Sequence, residues 1–155
     1  MTRAALPLAG LALTIGLLAG QRLFELALSA RHLRALKARG AVEWGRAHFA
    51  AFVALHALFP LALLAEVFLG GARPPAFWPW LLPPLVAAEA LRTAAMRALG
   101  DRWHVRVWVV PGEPALGHGV YRWLRHPNYV AVVLELALIP SLFGAWRTAI
   151  AASLV

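Results

Sequence analysis

The 155-residue sequence has no cysteine, which excludes disulfides, a thiolate metal site and a cysteine nucleophile. It is also poor in charge. Only 14% of its residues are charged, against roughly a quarter in soluble proteins. Hydrophobic residues make up 61%, and the mean hydropathy is +0.68. A chain this apolar reads as a membrane protein. Its formal net charge of +8 would direct a soluble domain towards nucleic acid. Here the basic residues gather between the apolar runs, as the positive-inside rule describes, so nucleic acid is not an expected partner.

Four apolar zones are present. The N-terminus has one basic residue, Arg3, and then runs uncharged over residues 4–21. A spanning helix needs about 20 mostly apolar residues, so this is read as a retained first span, not a cleaved signal. The first zone covers residues 4–30, and the second residues 47–69, interrupted by His48, His56, Pro60 and Glu66. The third, residues 77–99, opens with "RPPAFWPWLLPPL"; prolines suit a helix start, and Trp78 and Trp80 suit the interfacial aromatic belt. The fourth begins at Pro127, with breaks expected at Pro140 and Gly144. The expected fold is an all-α integral membrane protein of four to five transmembrane helices, a single membrane-embedded domain over residues 1–155.

Charge sets the expected orientation. Arg31, Arg34, Lys37, Arg39 and Arg46 lie between zones one and two; Arg92, Arg97, Arg102, Arg106, Arg122 and Arg125 lie between zones three and four. Only Arg3, Arg73 and Arg147 fall on the other side. Both basic loops should therefore be cytoplasmic. In the second of them "WHVRVWVV" alternates in the manner of a strand and "PGEP" signals a turn. A short strand or hairpin folded over the cytoplasmic mouth is expected there, ahead of the last helical pair. After Gly144 eleven residues remain, about 16 Å of helix, too short to recross a core about 30 Å thick. The chain is expected to stop part-way through a returning helix, without a C-terminal cytoplasmic segment.

Four carboxylates, Glu25, Glu66, Glu89 and Glu135, lie in or beside apolar zones, where charge is costly. Arg22–Glu25 and Glu89–Arg92 are spaced by three residues, so each pair shares a helical face; both are read as structural ion pairs. Glu135 has no basic neighbour in its own helix and lies two turns beyond Asn128, open equally to a structural or a functional role. His48 and His56 are two turns apart. Two histidines are an incomplete metal site, no H-E-x-x-H is present, and both are read as hydrogen-bonded residues between helices.

The densest polar stretch is "YRWLRHPNYV", residues 121–130. Pro127 suits the first turn of a helix, whose free N–H groups can receive an anion. Arg125 can fork onto a carboxylate or phosphate, His126 can donate or accept near neutrality, and Tyr121 and Tyr129 add hydroxyls and flat faces. The upstream "GHGVY" allows close backbone approach. These groups suit a polar, flat, partly anionic ligand, with a membrane-surface anchor as the alternative.

"GVYRWLRHPNYVAVVLELALIP" resembles the G-x-Y-x-x-x-R-H-P-x-Y signature of the isoprenylcysteine carboxyl methyltransferase family, small membrane enzymes that use S-adenosylmethionine. "QRLFELALSARHLRALKARGAVEWGRAHF" and "RVWVVPGEPALGHG" look like its bacterial branch, some members of which accompany polyketide synthases making long-chain pyrones and resorcinols. The likeness covers about residues 20–150. It implies that Gly119, Tyr121, Arg125, His126, Pro127 and Tyr129 bind S-adenosylmethionine. It implies further that a methyl group passes to an oxygen of a lipophilic or prenylated substrate reached from the membrane lipids, with Arg125, His126 and Glu135 as catalytic candidates. A carboxylate acceptor needs no base, whereas a phenol or enol would use one, His126 or Glu135. Family members carry paired glutamates in a further cytoplasmic segment, and the sequence stops before such a pair. The implied location is the bacterial inner membrane with the site facing the cytoplasm. The competing readings are a membrane NADPH-dependent reductase of the sterol-reductase type and a non-catalytic lipid-binding subunit.

Overall fold

In a computed structural model the backbone is described for residues 5–154, with side chains from residue 8 onward except those of residues 47 and 48. The expectation placed on the His48 side chain lies outside the described residues. Most of the described residues are helical, so the helical expectation holds. They are α1 (Ala5–Ala38), α2 (Arg46–Phe68), α3 (Leu82–Leu99), α4 (Pro127–Leu142) and α5 (Trp146–Ser153), with two short strands, β1 (Val42–Trp44) and β2 (Val107–Val109). Leu8–Ala38 and Phe49–Phe68 are long and apolar enough to cross a membrane, and α4 is a shorter apolar helix. Leu13, Leu17, Leu23 and Phe24 on α1 and Leu58 and Leu61 on α2 are all exposed, a surface suited to hydrocarbon. The core joins Leu11 of α1, Phe59 and Leu63 of α2, Val132, Leu136 and Ile139 of α4, and Ala152 of α5.

Three elements depart from the sequence expectation. The first basic segment is largely helical, because α1 continues to Ala38 and includes Arg31, Arg34 and Lys37. Its Ala, Leu, Arg and Lys residues are good helix formers, and no breaker occurs before Gly40, which adopts φ 74°. The strand expected in the second basic segment exists, yet it forms no local hairpin. β2 pairs antiparallel with β1, placing Val42 opposite Val109, Glu43 opposite Trp108 and Trp44 opposite Val107. Since β1 links α1 to α2 and β2 lies between α3 and α4, this ribbon gathers both basic connections at one end of the bundle.

The third departure is at the opposite end. Pro140 does not break α4, and its carbonyl accepts the N–H groups of Phe143 and Ala145. The reversal occurs at Gly144, φ 71°, where a Cβ would overlap the carbonyl of Arg73. A residue with a side chain therefore meets both an unfavourable backbone conformation and a clash. α5 then packs against α4 and α2. Glu66 of α2 accepts hydrogen bonds from the N–H groups of Arg147 (3.1 Å) and Thr148 (2.7 Å) and from the Thr148 hydroxyl (2.7 Å). It thereby satisfies donors that the first turn of α5 cannot. This carboxylate beside an apolar zone is a helix cap supplied from another helix.

Candidate active site

The outer part of the site is the turn-rich segment leading into α4. Gly119 starts a 3₁₀ turn, Gly119–Arg122, that packs on α3. It has φ 59°, and a Cβ there would lie 3.2 Å from the Ala98 Cβ, so the close approach and the backbone conformation both favour glycine. Tyr121 in the same turn is half-buried, and burial pushes its phenol above the ordinary range. Arg122 lies over the ring of Trp123, 5.3 Å from its centroid. Arg125 and His126 are exposed, whereas Pro127 is buried at the first turn of α4. Tyr129 is exposed and meets the His126 ring edge-on, with centroids 5.7 Å apart and planes at 80°. The Asn128 Oδ1 is buried without a hydrogen-bond partner among the described residues. An unpaired buried acceptor is uncommon, and here it sits in the middle of the polar stretch.

Glu135 stands apart from these groups, eight residues into α4 from Pro127, about 12 Å along the helix axis. Its side chain is 3% exposed, and so is that of Arg92 on α3. Arg92 Nε donates to Glu135 Oε1 at 2.7 Å, and Arg92 Nη2 donates to Glu135 Oε2. Arg92 Nη1 reaches Glu25 Oε1 on α1 at 2.9 Å. Arg22 donates to Glu25 Oε2 at 2.5 Å and faces Glu135 Oε2 at 3.4 Å. Gln21 donates to Glu89 at 3.3 Å. The expected Arg22–Glu25 pair is present. The expected Glu89–Arg92 pair is stretched to 4.0 Å, because the guanidinium turns inward to two carboxylates on other helices. A bidentate pair satisfies both oxygens of a buried carboxylate, whereas the i,i+3 alternative would leave buried Glu135 with only the longer contact to Arg22.

Arg22, His56 and Glu135 also line a cavity of about 340 Å³ between α1, α2 and α4, otherwise walled by apolar residues such as Ile15, Phe59 and Ile139. A second, more open groove of about 670 Å³ runs between α1, α3 and α4 past Gln21 and Glu89. The structure thus presents an exposed polar segment at the ribbon end of the bundle and, about two turns deeper, an ionic core beside an apolar cavity.

A family model for the isoprenylcysteine carboxyl methyltransferase (ICMT) family matches residues 80–155, taking in α3, β2, the polar segment, α4 and α5. Uncharacterized protein YpbQ of Bacillus subtilis is 36% identical over 136 residues, covering 88% of this chain and 81% of that protein. This chain belongs to the ICMT family. An uncharacterized protein of Haemophilus influenzae is 27% identical over 123 residues, 79% of this chain and 69% of its own length. No solved structure matches the chain. Family membership and the apolar helices together support a membrane methyltransferase.

Sequence reasoning missed two features of this ICMT-family chain. Spacing alone gives Arg92 its nearest carboxylate and a place in the basic loop, although a buried arginine ten residues into α3 needs more than one partner. Asn128 was treated only as a marker of helix face, and its missing partner is visible only once the surrounding turn is built.

Proposed function

We propose that this protein is an S-adenosylmethionine-dependent methyltransferase acting on an oxygen of a lipophilic substrate. In this reading α3 and the α4–α5 pair join α1 and α2 to make four to five membrane crossings. The basic end faces the cytoplasm of a bacterium across its inner membrane, and residues 1–155 act as one domain. The observation that carries the proposal is the polar segment of an ICMT-family chain held at the mouth of an apolar bundle, with its cationic and aromatic side chains turned outward.

The residues present fit the cofactor. Arg125 is free to pair with its carboxylate, and the buried Asn128 acceptor suits an amino group. The faces of Tyr129 and His126 suit its flat adenine ring. Gly119, Tyr121 and Pro127 shape the backbone around it. When bound, the cofactor supplies an electrophilic methyl group on a positively charged sulfur. The protein's own contribution is chiefly orientation: holding donor and acceptor in line lowers the barrier without covalent catalysis. Arg125 and His126 hold the cofactor end. Glu135, clamped by Arg92, fixes the floor where the lipid's reacting oxygen arrives.

Purified protein in lipid nanodiscs, incubated with methyl-labelled S-adenosylmethionine and a bacterial lipid extract, should place label in the organic-soluble fraction. The reductase alternative predicts NADPH oxidation instead, and the lipid-binding alternative predicts neither signal. Either of those outcomes contradicts the proposal.

A further inference from the structure

The ribbon that gathers the two basic connections has two unlike faces. Successive residues of a strand point to opposite sides. The middle residues, Glu43 and Trp108, lie opposite each other and share the more sheltered face. The flanking residues form two cross-strand pairs on the other face, Val42 with Val109 and Trp44 with Val107. These four apolar side chains are exposed by 51%, 47%, 64% and 53% respectively. A two-stranded ribbon is marginal in water by itself, and the open face of an antiparallel pair is ordinarily polar. A continuous apolar face in that position marks an interaction site.

The level of the ribbon in the bundle and the charge at its rim identify the occupant. Val107 follows Arg106, whose guanidinium carbon lies 4.2 Å from the centre of the Phe49 ring. Phe49 opens the apolar stretch Phe49–Phe68 of α2, and exposed Val53 stands one turn further on. The Trp44–Val107 pair therefore sits where the apolar surface of α2 begins. Tryptophan suits that boundary, with one end of its ring system in an apolar medium and the other wet. The rim is cationic. Glu43 accepts from Arg46 Nε and from Arg106 Nη1, each at 2.9 Å. Two arginines share this one carboxylate, so the rim keeps a net positive charge. Their side chains are exposed by 78% and 42%, and each keeps further N–H groups with the fork geometry that suits phosphate. A second copy docked by this face would set the patch against itself and bring like charges together. An anionic lipid surface meets the apolar pairs and the cationic rim at once.

We infer that the ribbon is a membrane-surface element that docks on anionic phospholipid. Val42, Trp44, Val107 and Val109 enter the boundary between headgroups and acyl chains, and Arg46 and Arg106 hold the phosphates. This docking is independent of the reaction the chain performs. By seating β2, the lipid also holds the α3–α4 connection, which carries the polar segment, against the bilayer.

A chain without cysteine takes single nitroxide labels cleanly. Labels at Val42→Cys and Val107→Cys are compared with labels at exposed Leu61→Cys on α2 and exposed Ala115→Cys in the α3–α4 connection. The protein is placed in nanodiscs of phosphatidylcholine with or without phosphatidylglycerol. Collision with oxygen, which concentrates in lipid, is measured against collision with a water-soluble nickel chelate. With phosphatidylglycerol, the oxygen-to-nickel ratio at positions 42 and 107 should approach that at position 61. Without it the ratio should fall by about fivefold, the effect of roughly one basic residue near an anionic surface. Arg46→Gln should remove most of this lipid dependence, while amide exchange at residues 107–109 shows that the strands still pair. Labels at 42 and 107 that match position 115 in both lipids would overturn the inference and leave the face to a soluble partner. Equal ratios in the two lipids would also overturn it, as would spin–spin broadening between copies, which would make the face a subunit seam.

Discussion

Arg92 connects three helices. Its guanidinium holds Glu135 of α4 and Glu25 of α1 from a position in α3 that is 3% exposed. Charge taken out of water is tolerated only when paired and hydrogen-bonded, and removing one partner leaves the other uncompensated. Arg92→Ala should therefore destabilise the protein by about 3–5 kcal/mol, seen as a large fall in the midpoint of thermal unfolding in detergent, with Arg92→Lys intermediate because it cannot form the fork. An unchanged midpoint in Arg92→Ala would remove the network from the account of stability. Some of this was legible in the sequence. The three-residue spacing of Arg22 and Glu25 dictates their contact whatever surrounds them. The partners of Arg92 were not legible, since they depend on which faces of α1, α3 and α4 pack together.

Among the elements, the long apolar helices could be read directly, because a membrane crossing requires about 20 mostly apolar residues in one run. β1 could not. Three residues between two glycine-containing turns carry too little periodicity, and their partner strand lies more than sixty residues away. Its one inward charge now explains how it is held. The Glu43 side chain is buried and accepts hydrogen bonds from Arg106 and Arg46, each at 2.9 Å. Burial alone would raise its carboxyl, but the two arginines outweigh that and hold it below the usual carboxylate range. A group with a lowered folded value stabilises the fold above its ordinary value near 4.5 and loses that contribution as pH falls through the lower folded value. Ribbon pairing should thus be constant from about pH 7 to about pH 5 and weaken below about 4.5. Amide exchange at residues 107–109, corrected for its intrinsic pH dependence, should report this, and Glu43→Gln should flatten the profile. A native profile already flat below that range would contradict the role given to Glu43.

For the whole molecule, the ribbon ties the α1–α2 connection to the α3–α4 connection, while Glu66 and the Arg73–Gly144 approach tie the opposite end to α5. The charge asymmetry in the sequence anticipates the first of these, because eleven basic residues assigned to two connections imply a shared side. The family signature at residues 119–129 anticipates the second level of organisation, an outward polar segment on an apolar bundle. The deeper cavity was not legible, since its walls come from three helices whose packing no local spacing dictates. Equilibrium binding of S-adenosylmethionine in nanodiscs separates a cofactor site in the exposed segment from a membrane anchor. Loss of a charged hydrogen bond costs about 1.5–3 kcal/mol, so Arg125→Ala should weaken binding by about ten- to a hundredfold while its unfolding midpoint matches that of the native protein. If Arg125→Ala and His126→Ala both bind S-adenosylmethionine as tightly as the native protein, residues 121–130 are a membrane anchor and the assignment of the cofactor site is wrong.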